Sequence, residues 1–220
     1  MIPNNIILTY KDNNVPKYVF DNVKSLNSDK NVLFFTDEDI IKFLSQEYES
    51  SYVDFFHSLK LGCTKGDFFR YCYLFKHGGY YCDIDIYHLE PIKSYITSDI
   101  EFFTINSGAC KNTTFQALLF ATQEHPIIKK CIDDIMMPIS AQDTFYSTTG
   151  DMYKNIAQYL NTNHLYPGDY VSNSNKIAIG QELYSGQWVC TYNSRPIALS
   201  RYPNYIKYNP GTNKEVGLFI

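Results

Sequence analysis

The sequence carries no surplus of positive charge. Its 19 Lys and Arg stand against 23 Asp and Glu, giving a formal net charge of −4 and a pI near 5.7. Affinity for nucleic acid through phosphate neutralisation is therefore excluded. Long apolar runs are missing too, since no stretch approaches the roughly 18 residues that mark a membrane-spanning helix. The opening Met1-Ile2-Pro3-Asn4-Asn5 lacks the basic segment of a secretory leader, so the chain is expected to be cytoplasmic, with no membrane span. Cys63, Cys72, Cys82, Cys110, Cys131 and Cys190 form no Cys-x-x-Cys pair, which argues against a disulfide framework or a zinc site and for reduced thiols. Tryptophan occurs once, but 20 Tyr and 15 Phe are far too many for a disordered chain. At 220 residues a full hydrophobic core can form without staples.

The first half has the rhythm of a parallel α/β sheet. Asn5 to Tyr10 reads as a buried strand, and Pro16 can open a helix through Leu26 with Val19, Phe20 and Val23 on one stripe. Asn31 to Phe35 is a second strand, after which Thr36 or Asp37 caps a helix carrying Ile40, Phe43 and Leu44. A short helix follows over Tyr52 to Leu59. Thr64-Lys65-Gly66-Asp67 has the pattern of a capping box opening a helix that His77-Gly78-Gly79 stops. Further on, the patterns predict a strand at Glu101 to Ile105 and helices at Phe115 to Thr122, Pro126 to Ile135 and Asp151 to Leu160. Strands are expected at Lys176 to Ile179 and Pro196 to Leu199.

Chemistry concentrates in Tyr80-Tyr81-Cys82-Asp83-Ile84-Asp85-Ile86-Tyr87. Read as one strand, Tyr80, Cys82, Ile84 and Ile86 face the core, while Tyr81, Asp83, Asp85 and Tyr87 share the other face. The two carboxylates would then lie about 6.6 Å apart and repel by about 2.5 kcal/mol at an effective dielectric of 20, a cost that a divalent cation relieves. Hard oxygen ligands at a strand end suit Mg²⁺ or Mn²⁺. Asp37-Glu38-Asp39 has the same spacing but follows a helix cap, where acids favour the dipole, so spacing alone decides nothing. Context decides. Asp67 and Arg70 sit on one face of a helix that is apolar nearly all round, and a buried Arg needs a carboxylate or phosphate partner.

From Lys65 to Asp85, the order Asp67, Arg70, Leu74, Gly78-Gly79, an aromatic pair and Asp83-Ile84-Asp85 closely resembles the sugar-binding region of family 32 DXD glycosyltransferases. More distantly it is similar to the catalytic domains of large glucosylating bacterial toxins. Ile2 to Tyr10, Phe35 to Asp39, Asn106, His125-Pro126 and Thr148-Thr149-Gly150 also fall where the family has comparable residues. The resemblance implies a Rossmann-like GT-A fold with its site beyond the carboxyl ends of the strands. It implies one domain over residues 1–220, with 1–90 the nucleotide-sugar half and 91–220 the acceptor side. Asp85 and Asp83 would act on the cation and at the reaction centre, and Asp67, Arg70, Tyr81 and Asn106 would bind the sugar. Thr9 and Tyr10 would lie near the base.

The implied activity is metal-dependent, retaining transfer of a hexose from a UDP- or GDP-sugar to a glycan, a protein or another hydroxyl acceptor. One departure stands out. Many members carry a His shortly before a C-terminal Trp, yet Gly180-Gln181-Glu182-Leu183-Tyr184-Ser185-Gly186-Gln187-Trp188 has none. The toxin-like relatives use Glu, Ser and Trp there, so Glu182 and Ser185 become metal ligands by resemblance, and Trp188 a donor contact. The missing His also leaves open a non-catalytic nucleotide-sugar or glycan-binding module. A two-metal phosphoesterase would need a further carboxylate or His cluster, which the sequence does not offer. The lean toward Asn, Tyr, Ile and Lys matches an AT-rich coding source, such as a bacterium or a large DNA virus.

Overall fold

The computed structural model describes residues 4–15, 17–137, 147–172 and 175–200. The expected helix-opening Pro16 and the start of the opening motif lie outside them. Strand β1 (Asn5–Thr9), helix α1 (Lys17–Leu26) and strand β2 (Asn31–Phe35) form the first unit, with β1 and β2 parallel. Helices α2 (Asp37–Glu47), α3 (Ser50–Ser58) and α4 (Gly62–His77) lead to β3 (Gly79–Cys82), which pairs parallel to β1 on its other side. The strand order β2-β1-β3 therefore reverses direction at β1. That makes a switch point, where an open α/β sheet leaves a crevice beyond its carboxyl ends.

The sheet continues through β6 (Thr114–Ala121), β5 (Ile100–Asn106), β8 (Asn175–Tyr184), β9 (Trp188–Tyr192), β10 (Arg195–Ser200) and the two-residue β4 (Tyr87–His88), while β7 (Gly168–Ser172) pairs β8. Two apolar layers cover it. Phe56, Phe68, Tyr71, Leu74, Tyr81 and Ile128 belong to the layer under α2 to α4, α5 (Pro126–Ile135) and α6 (Ser147–Tyr159). Ile6, Val19, Tyr80, Cys82, Phe103 and Ile197 belong to the layer that α1 covers. The six cysteines are free thiols. Among the described residues, no helix is long and apolar enough to cross a membrane.

Local chemistry explains most element ends. Thr36 caps α2 by accepting from the Asp39 N–H, and the Asp39 carboxylate accepts the Thr36 N–H at 3.0 Å, completing a capping box. The box expected at Thr64 does not form, because α4 begins earlier, at Gly62, and leaves Thr64 inside the helix. Gly78 closes α4 at φ 63°, its N–H donating to the Leu74 carbonyl at 2.8 Å. Gly79, at φ 122°, admits no side chain: a Cβ there would lie 2.9 Å from the Asn5 carbonyl oxygen.

Two further expectations need correction. The helix expected over Phe115 to Thr122 is replaced by strand β6, which runs Thr114–Ala121. β6 runs between β3 and β5 with both faces covered, and a strand buried on both faces shows a continuous apolar run with no readable period. The acidic strand also stops early. β3 ends at Cys82, and Asp83 to Ile86 make a turn closed by the Ile86 N–H on the Asp83 carbonyl at 3.2 Å. Asp is a poor strand former and a good turn former, and a continued central strand would bury both carboxylates. Asp83 and Asp85 therefore share a turn, not a strand face.

Segment 87–92, which leaves this turn, is clamped by α1. Asn22 accepts the His88 N–H at 2.7 Å and donates to the His88 carbonyl at 3.0 Å, and buried Asn27 accepts the Ile92 N–H at 2.8 Å. Burial pulls the His88 and His125 rings down to about 4. The His125 Nδ1 accepts the Ile127 N–H at 3.3 Å and so caps α5. A neutral buried His binds no proton where the unfolded chain does. Its contribution is complete above pH 6.5 and is lost as the pH falls from 6.5 toward 4, by about 3 kcal/mol per ring. His125→Asn keeps a capping oxygen and removes the titration. Urea unfolding at pH 7 and pH 4.5 should then show a smaller acid loss in the variant, by about 2–3 kcal/mol. Equal losses would contradict the assignment.

Candidate active site

The carboxyl ends of β1, β2 and β3 lie along one edge of the sheet, and the first turns of α4 lie against it. The Lys65 ammonium holds Asp37 at 2.8 Å, tying the start of α4 to that of α2. One turn on, Arg70 lies buried between two carboxylates. Its Nη2 sits 3.1 Å from Asp67 Oδ1 and 3.2 Å from Asp83 Oδ1, while Nη1 donates to the Gln116 carbonyl at 2.9 Å. Its guanidinium also stacks 4.2 Å from the Tyr81 ring centroid, and Nη2 reaches the Tyr81 hydroxyl at 3.4 Å. Four of the expected residues, Asp67, Arg70, Tyr81 and Asp83, thus meet in one cluster.

The electrostatics follow from burial. Burial pushes the Asp67 carboxyl up, while Arg70 and the Thr148 hydroxyl pull it back. Arg70 would lose its proton affinity through burial, but Tyr81, Asp67 and Asp83 outweigh that and hold it well above the ordinary arginine value. Burial raises the Tyr81 phenol, with Arg70 opposing, so its hydroxyl stays protonated. Asp83 keeps 35% of its side chain exposed, and Asp85 is half-buried on the adjoining turn. The cluster is thus closed at Asp67 and Arg70 and open toward Asp83 and Asp85.

Two residues given no site role by the sequence complete the cluster. Thr148, in the first turn of α6, donates its hydroxyl to Asp67 Oδ2, so it is not the plain helix cap its position invites. Gln116 lends its carbonyl to Arg70, accepts the Tyr71 hydroxyl, and donates Nε2 to the Thr148 carbonyl at 3.0 Å. Thr148-Thr149-Gly150 was at least visible as a motif. Gln116 carried no signal, because its role depends on where β6 enters the sheet.

The remaining expected residues are distributed along the same edge. Thr9 donates to the Phe35 carbonyl at 2.9 Å, and a Cβ built on Gly66 would meet its methyl at 3.9 Å, so Thr9 flanks the start of α4. Tyr10, half-buried, follows it, with its N–H on the Phe35 carbonyl at 3.2 Å. Asn106 ends β5. Glu182 and Trp188 lie on β8 and β9, and exposed Ser185 is at the tip of their hairpin. Glu182 is fully buried, bonding the Ser200 hydroxyl at 2.7 Å and accepting the Gly108 N–H at 3.2 Å. Gly108 admits that closeness, since a Cβ there would meet the Glu182 carbonyl oxygen at 2.4 Å and the Trp188 ring at 2.9 Å.

Among the described residues, no three His, Cys, Asp or Glu side chains converge as a metal-ligand group, so Glu182 does not join Asp83 and Asp85 in one. The donor set nevertheless fits a hard divalent ion. Mg²⁺ is commonly held by one or two carboxylates together with waters and substrate phosphates, and Asp83 and Asp85 offer two carboxylates on a solvent-reached turn.

Residues 14–102 match the family described as glycosyltransferase sugar-binding region containing DXD motif. That segment is similar to the sugar-binding region of the DXD glycosyltransferases. The matched segment contains Asp67, Arg70, Asp83 and Asp85. Inositol phosphoceramide mannosyltransferase 1 of Schizosaccharomyces pombe is 28% identical over 140 residues, covering 61% of this chain and 43% of that protein. The chain thus spans less than half the length of this curated relative. A solved structure described as PaToxG Glycosyltransferase superposes with a TM-score of 0.59 at 14% identity, over 73% of this chain and 70% of that one. A glycosyltransferase involved in glycosylation of the major capsid of PBCV-1 aligns with a TM-score of 0.41 at 14% identity, over 69% of this chain and 75% of that one. The fold is of the GT-A type, as the likeness to PaToxG Glycosyltransferase shows.

If Arg70 holds the cluster together, removing it leaves Asp67 buried without its counter-charge. Arg70→Met should cost about 3–5 kcal/mol in denaturant unfolding. Thr148→Val, which removes one hydrogen bond to the same carboxylate, should cost about 1–3 kcal/mol, with Thr148→Ser close to the parent. An Arg70→Met chain as stable as the parent would contradict the assignment.

Proposed function

We propose that the chain is a metal-dependent, retaining glycosyltransferase that moves a hexose from a UDP- or GDP-sugar to a hydroxyl acceptor. The observation that carries this reading is Arg70, buried at the carboxyl edge and holding Asp67 and Asp83 in one orientation. Such an arrangement is costly to build for stability alone, because burying a charge pays only where its partners are excellent. Two fixed carboxylates at the mouth of an open α/β sheet are suited to accept the hydroxyls of a sugar. Under this reading Asp67 and Asp83 take donor hydroxyls, Arg70 orients both, and Tyr81 closes the wall behind them. Thr9 and Tyr10, at the end of β1, flank the crevice on the base side.

Asp85, with Asp83, would hold Mn²⁺ or Mg²⁺. Bound there, the ion supplies Lewis-acid neutralisation of charge on the departing diphosphate. The protein's own contribution is orientation and exclusion of water from an oxocarbenium-like centre. Residues 1–90 would form the nucleotide-sugar half and residues 91–220 the acceptor side. β1 to β3 and α1 to α4 all fall in the first half, which supports that division.

A second reading, a non-catalytic nucleotide-sugar or glycan-binding module, is favoured by one observation. Glu182, the third metal ligand implied by resemblance to toxins, is fully buried and engaged with Ser200 and Gly108. Nucleotide release separates the two. With Mn²⁺ the chain should release nucleotide from a UDP- or GDP-hexose, chelation should stop it, and Asp85→Asn should lower kcat at least about 100-fold with the fold retained. Donor binding by calorimetry with no release under any metal would favour the binding module. An active Asp85→Asn chain would refute the metal role.

A further inference from the structure

A second concavity lies along the same edge, beyond β6. It encloses about 430 Å³ where the ends of β5 and β8, the β5–β6 loop and residues 164–166 meet. That volume lies within the range of small-ligand sites, roughly 300–1,000 Å³. Its walls carry the amides of Asn106 and Gln181 and the rings of Tyr153, His164 and Tyr166, with Lys111 as the one charged residue and no carboxylate.

We propose that this pocket is the acceptor subsite and that it takes an uncharged sugar. The proposal rests on the transferase reading above and names the acceptor class for it. Its position is the first ground. Asn106 pairs with Thr114 across the sheet, and Gln116, whose carbonyl holds Arg70, lies two residues further along β6. Strand spacing and rise put the Asn106 and Gln116 backbones roughly 8 Å apart. Helix α6 spans the same gap, carrying Thr148, bonded to Asp67, and Tyr153 in the pocket wall.

Preorganisation is the second ground. Leu165 is clamped on both sides: its N–H donates to the Tyr153 hydroxyl at 3.0 Å, and its carbonyl accepts Asn106 Nδ2 at 2.8 Å. Tyr166 is held likewise, its N–H donating to the Tyr170 hydroxyl at 2.7 Å and its carbonyl accepting that hydroxyl at 2.9 Å. Yet the Tyr166 side chain sits on this fixed backbone in a residue that is 68% exposed. A rigid backbone presenting an open aromatic ring makes a platform for the apolar face of a sugar. Asn106, one of the lining residues, is itself buried, and its Oδ1 has no hydrogen-bond donor among the described residues. Recognition of an anion would call for an arginine fork or several cations, and the walls offer one lysine.

The test titrates the full chain with methyl hexosides and with hexose phosphates, read by saturation-transfer NMR. Methyl hexosides should bind, should outcompete the phosphates, and should lose at least tenfold in affinity in Tyr166→Ala. They should also stimulate nucleotide release, and the half-saturating concentration should rise at least tenfold in the same variant. Absent binding, equal binding by Tyr166→Ala, or tighter binding of hexose phosphates would overturn the proposal. Release of nucleotide from the donor alone, without glycoside, tests the transferase reading separately. If no donor is turned over while the variant still loses glycoside binding, the acceptor role is overturned and a glycan-binding site stands in its place.

Discussion

The site depends on one buried guanidinium. Arg70 is taken out of water and compensated by Asp67, Asp83, the Gln116 carbonyl and the face of Tyr81. Those partners come from α4, from β3 and the turn that follows it, and from β6, so forming the cluster requires these elements to be docked together. A lysine could not replace it, because a single ammonium lacks the planar fork that reaches several acceptors at fixed angles. The same constraint orients both carboxylates before any ligand arrives, and that preorganisation distinguishes a binding edge from a solvated acidic turn.

The sheet exists to hold that edge. β1, β2 and β3 run parallel, so their carboxyl ends, and with them Thr9, Phe35 and Asp83, open on one side. Gly79 lets β3 approach the Asn5 carbonyl closely enough to join β1. After the acidic turn the chain is recaptured by Asn22 and Asn27, whose amides bond the backbone of His88 and Ile92. The turn carrying Asp85 is therefore anchored on both sides: Arg70 holds Asp83 at its start, and α1 clamps the chain beyond it.

The edge has two chemically distinct regions bridged by α6. One is the charged cluster at the switch point, and the other is the neutral pocket by Asn106 and Tyr166. Their chemistries differ as their proposed ligands do: fixed carboxylates at the switch point, and amides with aromatic rings in the pocket. Thr148 and Tyr153, less than two turns apart on α6, each bond to one region. Movement of that helix would reach both.

Short-range signals were legible. β2 and α5 match their sequence readings, and the cap at Thr36, one of the two residues expected there, and the glycine stop at Gly78 follow from local chemistry. The order of Asp67, Arg70 and Asp83-Ile84-Asp85 sufficed to point to the DXD glycosyltransferases, since that likeness lies in residue types and spacing. The fully buried strand β6 was not legible, because burial on both faces erases the alternation that identifies a strand. Nor was the end of β3 at Asp83, since the cost of burying both carboxylates arises only once β3 is central in the sheet, and the Asp83 side chain is then held by a guanidinium thirteen residues earlier in the chain. Gln116, Thr148 and the pocket by Tyr166 depend on contacts between segments far apart in sequence. The sequence by itself determined which chemical groups are available and the local elements that carry them. Only the tertiary structure decided which groups meet, because desolvation makes a charge's partners a property of the packed interior and not of the neighbouring residues.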